Sequence, residues 1–368
     1  MKGKITNYFA GGNTSVGFYS LFSSNLNDLK RLFILKGGPG TGKSFLIKTI
    51  GKEWVNRGYD IEYMYCSSDK ESVDGVIIQK LKTGIVDGTN PHVIEPRFPG
   101  VIDDYVNLGV AWDAEKLRKN KEDIIDHTEQ VSAAFKSAYE AFGDALIFHN
   151  ERKKRLSPYI DRKKMEVLVN ELIATFFKEK KESAKPHIKH RFHGANTPTG
   201  TVDFISELTS DVGNRYLLKG RPGVGKSTLL KSLASAAENR GFDTEIYHCE
   251  FEPERVDLLV VKELDLAIFD STPPHEYAPE RKNDKVIDLE SEVLVSDVSE
   301  KDSFKIQIAE EQFAAKMKEG LGALAHAKAL RDTLEGYYIH AMDFTITGQI
   351  RKEIDDEIKQ IAKEKGNK

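Results

Sequence analysis

Only two cysteines, Cys66 and Cys249, occur in 368 residues, and each follows a strand-like stretch bearing Tyr or His. Such sparse usage argues against a disulfide framework and fits a reducing cytosol, so a cytoplasmic location is expected. Both read as small buried residues at strand ends. No apolar run approaches membrane-spanning length, and the opening MKGKITNYFAGG is too polar for a secretory signal, so no membrane association is expected. An excess of either charge is also missing: 54 Lys and Arg face 58 Asp and Glu, a net charge of −4. No global field therefore recruits nucleic acid or an anionic membrane, although a local basic patch stays compatible with these totals. Metal-ligand spacings of the CxxC or HExxH kind do not occur.

What is present is one motif written twice. The apolar run Leu32-Phe33-Ile34-Leu35 leads into Gly37-Gly38-Pro39-Gly40-Thr41-Gly42 and then Lys43-Ser44, at the head of a segment with helical periodicity. Tyr216-Leu217-Leu218-Lys219 leads in the same way into Gly220-Arg221-Pro222-Gly223-Val224-Gly225-Lys226-Ser227. Both fit G-x-x-x-x-G-K-[ST]. A polyphosphate cradle needs backbone N–H groups pointing inward at close range, which favours glycine, and a helix whose first N–H groups are unpaired. Lys43 and Lys226 would reach the β/γ-phosphates, and Ser44 and Ser227 would hold Mg²⁺ through their hydroxyls. The residues expected around the phosphates are Gly38, Gly40, Thr41, Gly42, Lys43, Ser44 and Phe45, and then Arg221, Gly223, Val224, Gly225, Lys226, Ser227 and Thr228.

The two lysines stand 183 positions apart, and the same shift aligns the chain without a gap from Phe9 to His92. Phe9-Ala10-Gly11-Gly12-Asn13-Thr14 meets Phe192-His193-Gly194-Ala195-Asn196-Thr197; Cys66 meets Cys249, and Asp87-Gly88-Thr89 meets Asp270-Ser271-Thr272. Two similar α/β domains are expected, 1–183 and 184–368, each a parallel sheet followed by helices. In the first, Ile5–Phe9, Leu32–Leu35, Ile61–Cys66 and Thr83–Asp87 read as strands. Gly-Gly-Asn-Thr reads as a turn, residues 18–26 as helical, and Val73–Gln79 as a short connecting segment. A helical hairpin is expected at about 113–181, broken at Ser157-Pro158, and a helical tail at about 302–365. These helices should pack on their own sheet or on each other, or bind a partner as a coiled coil. Lys180–Pro186 is the linker candidate.

Strand-terminal Asp87 and Asp270 supply a second Mg²⁺ anchor beside each loop. Gly88 and Ser271 follow them, where many ATP hydrolases carry a glutamate that polarises the attacking water. Asp74, Asp257, Asp69 and Glu252 are substitute bases or simply turn and cap carboxylates. His92 and His275 could meet a γ-phosphate or an acceptor, or bond loop backbone. Asn13 and Asn196 read as turn residues rather than pocket residues, and Arg57 and Arg240 as helix C-termini. Lys36, Lys219 and Arg221 could add charge near phosphate. The basic run Lys153, Lys154, Arg155, Arg162, Lys163 and Lys164 reads as a solvated face, or as a grip for a phosphorylated acceptor.

GGPGTGKS, GRPGVGKS and the two strand-terminal aspartates resemble the P-loop NTPase superfamily. Duplicated over the chain and followed by VDGTNPH or FDSTPPH, they look like a bacterial family of tandem P-loop proteins described as ATPases or nucleotide kinases. The resemblance covers roughly half of the chain, the sheet part of each unit. It implies ATP with Mg²⁺, with Lys43, Ser44, Asp87 and Lys226, Ser227, Asp270 as the working residues. ATP is preferred over GTP because neither loop is accompanied by a guanine-reading N/T-K-x-D element. The expected function is a Mg·ATP-dependent NTPase or phosphotransferase with two sites; the alternatives are an ATP-operated binding protein and a small-molecule or nucleotide kinase. An acceptor, a protein partner and self-association are left open.

Overall fold

A computed structural model describes residues 1–178 and 185–366, so most of the expected linker lies outside the described residues. The first half runs β1 (Ile5–Phe9), β2 (Gly11–Thr14), β3 (Gly17–Ser20), α1 (Phe22–Leu26), β4 (Arg31–Lys36), α2 (Lys43–Asn56), β5 (Ile61–Cys66), β6 (Asp69–Ile78), β7 (Thr83–Asp87), β8 (Asp103–Asn107), α3 (Ala114–Lys119), α4 (Lys121–Leu156) and α5 (Arg162–Phe176). The second runs β9 (Ile188–Phe192), β10 (Gly194–Thr197), β11 (Gly200–Asp203), α6 (Ile205–Leu208), β12 (Asn214–Lys219), α7 (Lys226–Asn239), β13 (Thr244–His248), β14 (Val256–Val261), β15 (Leu266–Asp270), β16 (Lys285–Asp288), α8 (Leu289–Val293), α9 (Glu300–Ala341) and α10 (Phe344–Gly366).

The two halves share one sheet. Twelve strands follow in the order β16-β12-β15-β14-β13-β9-β1-β5-β6-β7-β4-β8, which reads alike from both ends. At the middle, β1 and β9 pair antiparallel with Phe9 opposite Phe192, two residues that occupy the same place in the repeat. The halves are therefore related by a local twofold through that pair, and the expected separate sheets merge into one.

The expectation of purely parallel sheets is corrected. Val73–Gln79 is largely strand, since β6 runs antiparallel between β5 and β7, and β14 does the same between β13 and β15. Gly75 to Ile78 are buried without alternation, which marks a strand covered on both faces and hides the period-two signal. Gly11–Thr14 is likewise a strand, paired with β3 in a small hairpin, and the expected 18–26 helix shrinks to α1.

Near each glycine loop the pairing is parallel. In β4·β7 Leu35 lies opposite Asp87, and in β12·β15 Leu218 lies opposite Asp270. Each aspartate is thus level with the last turn of chain before a glycine loop, at the carboxyl edge where open α/β sheets bind ligands. Helix α2 covers this sheet with Leu46, Ile47, Ile50 and Trp54, a buried stripe at helical spacing.

The long helices cross over. Helices α4 and α9 pack against each other along their length, with Phe142 and Leu324 fully buried between them. Beyond that seam each belongs to the opposite half. Leu156, Met165 and Phe177 from the first half join the core around α7, while Ile354 and Ile358 of α10 join the core around α2. Trp54 Nε1 donates to Asp355 at 3.0 Å across the same contact. Packing on the home sheet, one of the expected arrangements, is replaced by an exchange of helices within one chain.

Candidate functional site

Gly40 and Gly42 have φ of 67° and 87°, and Gly223 and Gly225 have φ of 98° and 113°, so both loops use the left-handed region open to glycine. Gly42 and Gly225 are also the N-caps of α2 and α7, and neither helix start is satisfied by a capping side chain. Their first N–H groups are available to an anion.

A buried lysine closes each loop. Lys43 is 7% exposed, donates to Gly37 O at 3.0 Å and Gly38 O at 2.8 Å, and its Nζ lies 3.7 Å from Asp87. Lys226 is 3% exposed, donates to Gly220 O and to Thr272 Oγ1, and lies 3.3 Å from Asp270. Burial pulls both ammonium groups below the usual lysine range, and the facing aspartates partly restore it. Asp270 is pushed up by burial and by neighbouring Asp257, against the pull of Lys226. Thr89 Oγ1 and Thr272 Oγ1 each donate to the aspartate two residues earlier at 2.6 Å, so the D-x-T spelling orients both carboxylates. Ser44 Oγ accepts from Val73 N, and Ser227 Oγ from Val256 N, both at 3.0 Å, which leaves a lone pair on each hydroxyl. These donors fit a phosphate with a hard cation at its edge.

The remaining loop residues divide. Thr41 is buried and donates to Gly38 O, and Val224 is buried in the core around α7. Phe45 and Thr228 are exposed. Arg221 is held by Glu290 of α8 at 2.6 Å. Lys36 and Lys219 donate to the carbonyls of Gly88 and Tyr277, so they fasten the loops after β7 and β15.

The exchanged helices lie on the loops. A Cβ on Gly38 would come within 2.7 Å of the Tyr338 ring, and one on Gly40 within 2.8 Å of Glu335 O, both in α9. Equivalent atoms on Gly223 and Gly225 would meet Lys153 of α4 at 2.8 Å and Met165 of α5 at 2.6 Å. Glycine is thus required here for close helix approach as well as for φ. The helices also bring charge. Arg331 of α9 bonds Glu335, and burial of its guanidinium is outweighed by Cys66, Glu335, Asp74 and Asp87, which raise its pKa. At the second loop the guanidinium is local: Arg255 Nη2 lies 3.2 Å from both Asp257 and Asp270.

Of the substitute bases, Glu252 is engaged by Lys153 at 2.6 Å and by His149 at 3.1 Å. Burial alone would raise its pKa, but these bonds and Arg255 bring it down to about 2, which makes it a poor proton acceptor. Asp69 caps its own turn through Ser72 and Glu71. Asp74 faces His92 Nε2 at 3.4 Å, while His92 Nδ1 lies 3.0 Å from Asp87 O. The basic run is partly consumed as well: Lys153 serves Glu252, and Arg155 pairs with Glu151 and Asp302.

Sequence reasoning missed Arg331 and His149. Both lie in the helical segments, where nothing in a helical stripe says which half it will cover. Comparison of the chain with family models, with curated proteins and with solved structures finds no match.

Proposed function

We propose that the chain binds Mg·ATP at two sites and acts as an NTPase or phosphotransferase. Each triphosphate would be held by one half's glycine loop and covered by the other half's long helix. The observation that carries this reading is a duplicated one. Twice, a buried lysine at the first turn of a 14-residue helix turns back onto a left-handed glycine loop and reaches toward a strand-terminal aspartate. Lys43 and Lys226 would take the β/γ-phosphates, and Ser44 with Asp87, and Ser227 with Asp270, would hold the cation. Bound Mg²⁺ would neutralise phosphate charge. The lysines, loop amides and Arg331 or Arg255 would stabilise what accumulates in the transition state, in an enclosed site where such charges act strongly.

A second reading is favoured by one observation. Glu252 is paired with Lys153 and faces His149, and Gly88 and Ser271 bring no carboxylate next to the aspartates. Slow turnover with occupancy-driven movement of α4 and α9 is what such a site would support. Single-turnover reactions with labelled Mg·ATP separate the two. Free phosphate or a labelled acceptor supports the enzyme, whereas ATP recovered intact from the complex supports the switch.

A further inference from the structure

The second half contains a polar cluster that the nucleotide reading does not use. His193 follows β9, Glu250 follows β13, and His275 lies in the loop after β15; all three are buried, at 0%, 3% and 7% exposure. His275 Nε2 is 2.9 Å from Glu250 Oε1, and His193 Nε2 is 3.7 Å from Glu250 Oε2. The donor atoms of all three lie within 4.8 Å of one another. His275 Nδ1 faces Asp203 Oδ2 at 2.7 Å, and Tyr277 donates to the other oxygen of Asp203 at 2.5 Å.

Two features of this arrangement bear on a cation. With its Nδ1 proton given to Asp203, His275 meets Glu250 Oε1 through an Nε2 that carries either a second proton or a metal ion, since two bare acceptors do not sit at 2.9 Å. A proton there would satisfy that one contact. It would leave both ring nitrogens of His193, and Glu250 Oε2, without any hydrogen-bond partner in a buried site. A metal ion would satisfy His193, Glu250 and His275 together.

We propose that His193, Glu250 and His275 form a binding site for a divalent transition metal, Zn²⁺ being the best match to two imidazoles and one carboxylate. Donors that share a tetrahedral zinc sit roughly 3.3 Å apart, between the two separations seen here. Asp203 acts as the outer carboxylate that fixes the tautomer of His275, with Tyr277 holding it in turn. The ion would tie the ends of β9 and β13 to the loop that begins at Asp270. Three protein donors leave one coordination position for water or another small ligand.

The repeat supplies its own control. In the first half the equivalent residues are Ala10, Ser67 and His92, with Ser20 in place of Asp203, so the same backbone closes without the donor set. The experiment uses the full, untagged chain, stripped with chelator and titrated with Zn²⁺ against a chromophoric competitor. Co²⁺ in place of Zn²⁺ reports the ligand field by visible absorption. The wild type should hold one tight equivalent and give tetrahedral-type cobalt bands. His193→Ala/Glu250→Ser, which installs the first half's residues, should weaken that equivalent by about a hundredfold or more while keeping its circular dichroism. His193→Ala alone serves if the double variant fails to fold. No tight equivalent in the wild type, or one undiminished in the variants, as binding at the adjoining His190 and His248 would give, overturns the assignment. Because metal is read directly, the result is independent of whether either loop binds nucleotide.

Discussion

Asn13 and Asn196 each donate from Nδ2 to the backbone carbonyl of the other, both at 3.1 Å, across the local twofold axis. Each amide also donates to the end of a strand in its own half, Asn13 to Ser67 O at 3.2 Å and Asn196 to Glu250 O at 3.2 Å. Both side chains are fully buried. The pair does not form the turn that its sequence suggested; it clasps the two halves together. Asn13→Ala strands two buried carbonyls, so a loss of about 1–3 kcal/mol is expected. Urea unfolding should show that loss within one cooperative transition, since sheet and helices both run across the halves.

Helix exchange makes a distinct prediction. Ile358 lies in α10 of the second half but is fully buried among Trp54, Val55 and Ile61 of the first. Ile358→Ala should cost about 2–5 kcal/mol through the cavity it leaves. Hydrogen exchange should quicken in α2 and β5 before it quickens in α7 and β13. Loosening confined to the second half would contradict the exchange.

The seam between α4 and α9 has little room to spare. A Cβ on Gly320 would lie 2.4 Å from the Phe142 ring, which is itself fully buried. Gly320→Val is therefore expected to destabilise by about 1–3 kcal/mol despite the better helix propensity of valine over glycine. Thermal melting with Gly322→Ala as the comparison checks this, because a Cβ on Gly322 meets nothing within 4 Å.

Acid stability follows from the ionic centre of the sheet. Arg191, buried over the Tyr8 ring, donates to Glu62 Oε2 at 2.5 Å and lies 3.6 Å from Glu245. Burial would raise the pKa of Glu62, but Arg191 and Lys189 overcome it and hold the group at about 2. A depressed carboxylate contributes stability above its unfolded pKa of about 4.5 and loses it as pH falls through the folded value. On the order of 3 kcal/mol should therefore disappear between about pH 4.5 and pH 2. Glu62→Gln should be weaker at neutral pH, because Arg191 loses a buried partner, and flatter across that acid window. Denaturant midpoints measured through the window decide it.

The sequence showed the duplication, the glycine loops and the strands that position them, because those signals are local. Apolar Leu32–Leu35 ends at glycines, and Thr83–Asp87 ends at an aspartate. The single sheet was not legible, since its joint rests on the one pairing of Phe9 with Phe192, a contact between positions that composition treats as independent. Strand β6 was missed because burial on both faces removes alternation from Gly75 to Ile78. Helix exchange was hidden for another reason. The stripe of Ile354 and Ile358 shows that α10 is amphipathic, but not whose core it faces. The His193, Glu250 and His275 cluster comes from three separated stretches, so no spacing motif announces it.

The most direct test of the central claim is calorimetric titration of the full chain with Mg·ATP, alongside Lys43→Ala and Lys226→Ala. Two sites in the wild type, with one lost in each variant and both lost in the double variant, is the predicted result. Unchanged heats in the folded double variant, or no heat with any magnesium nucleotide, would contradict it.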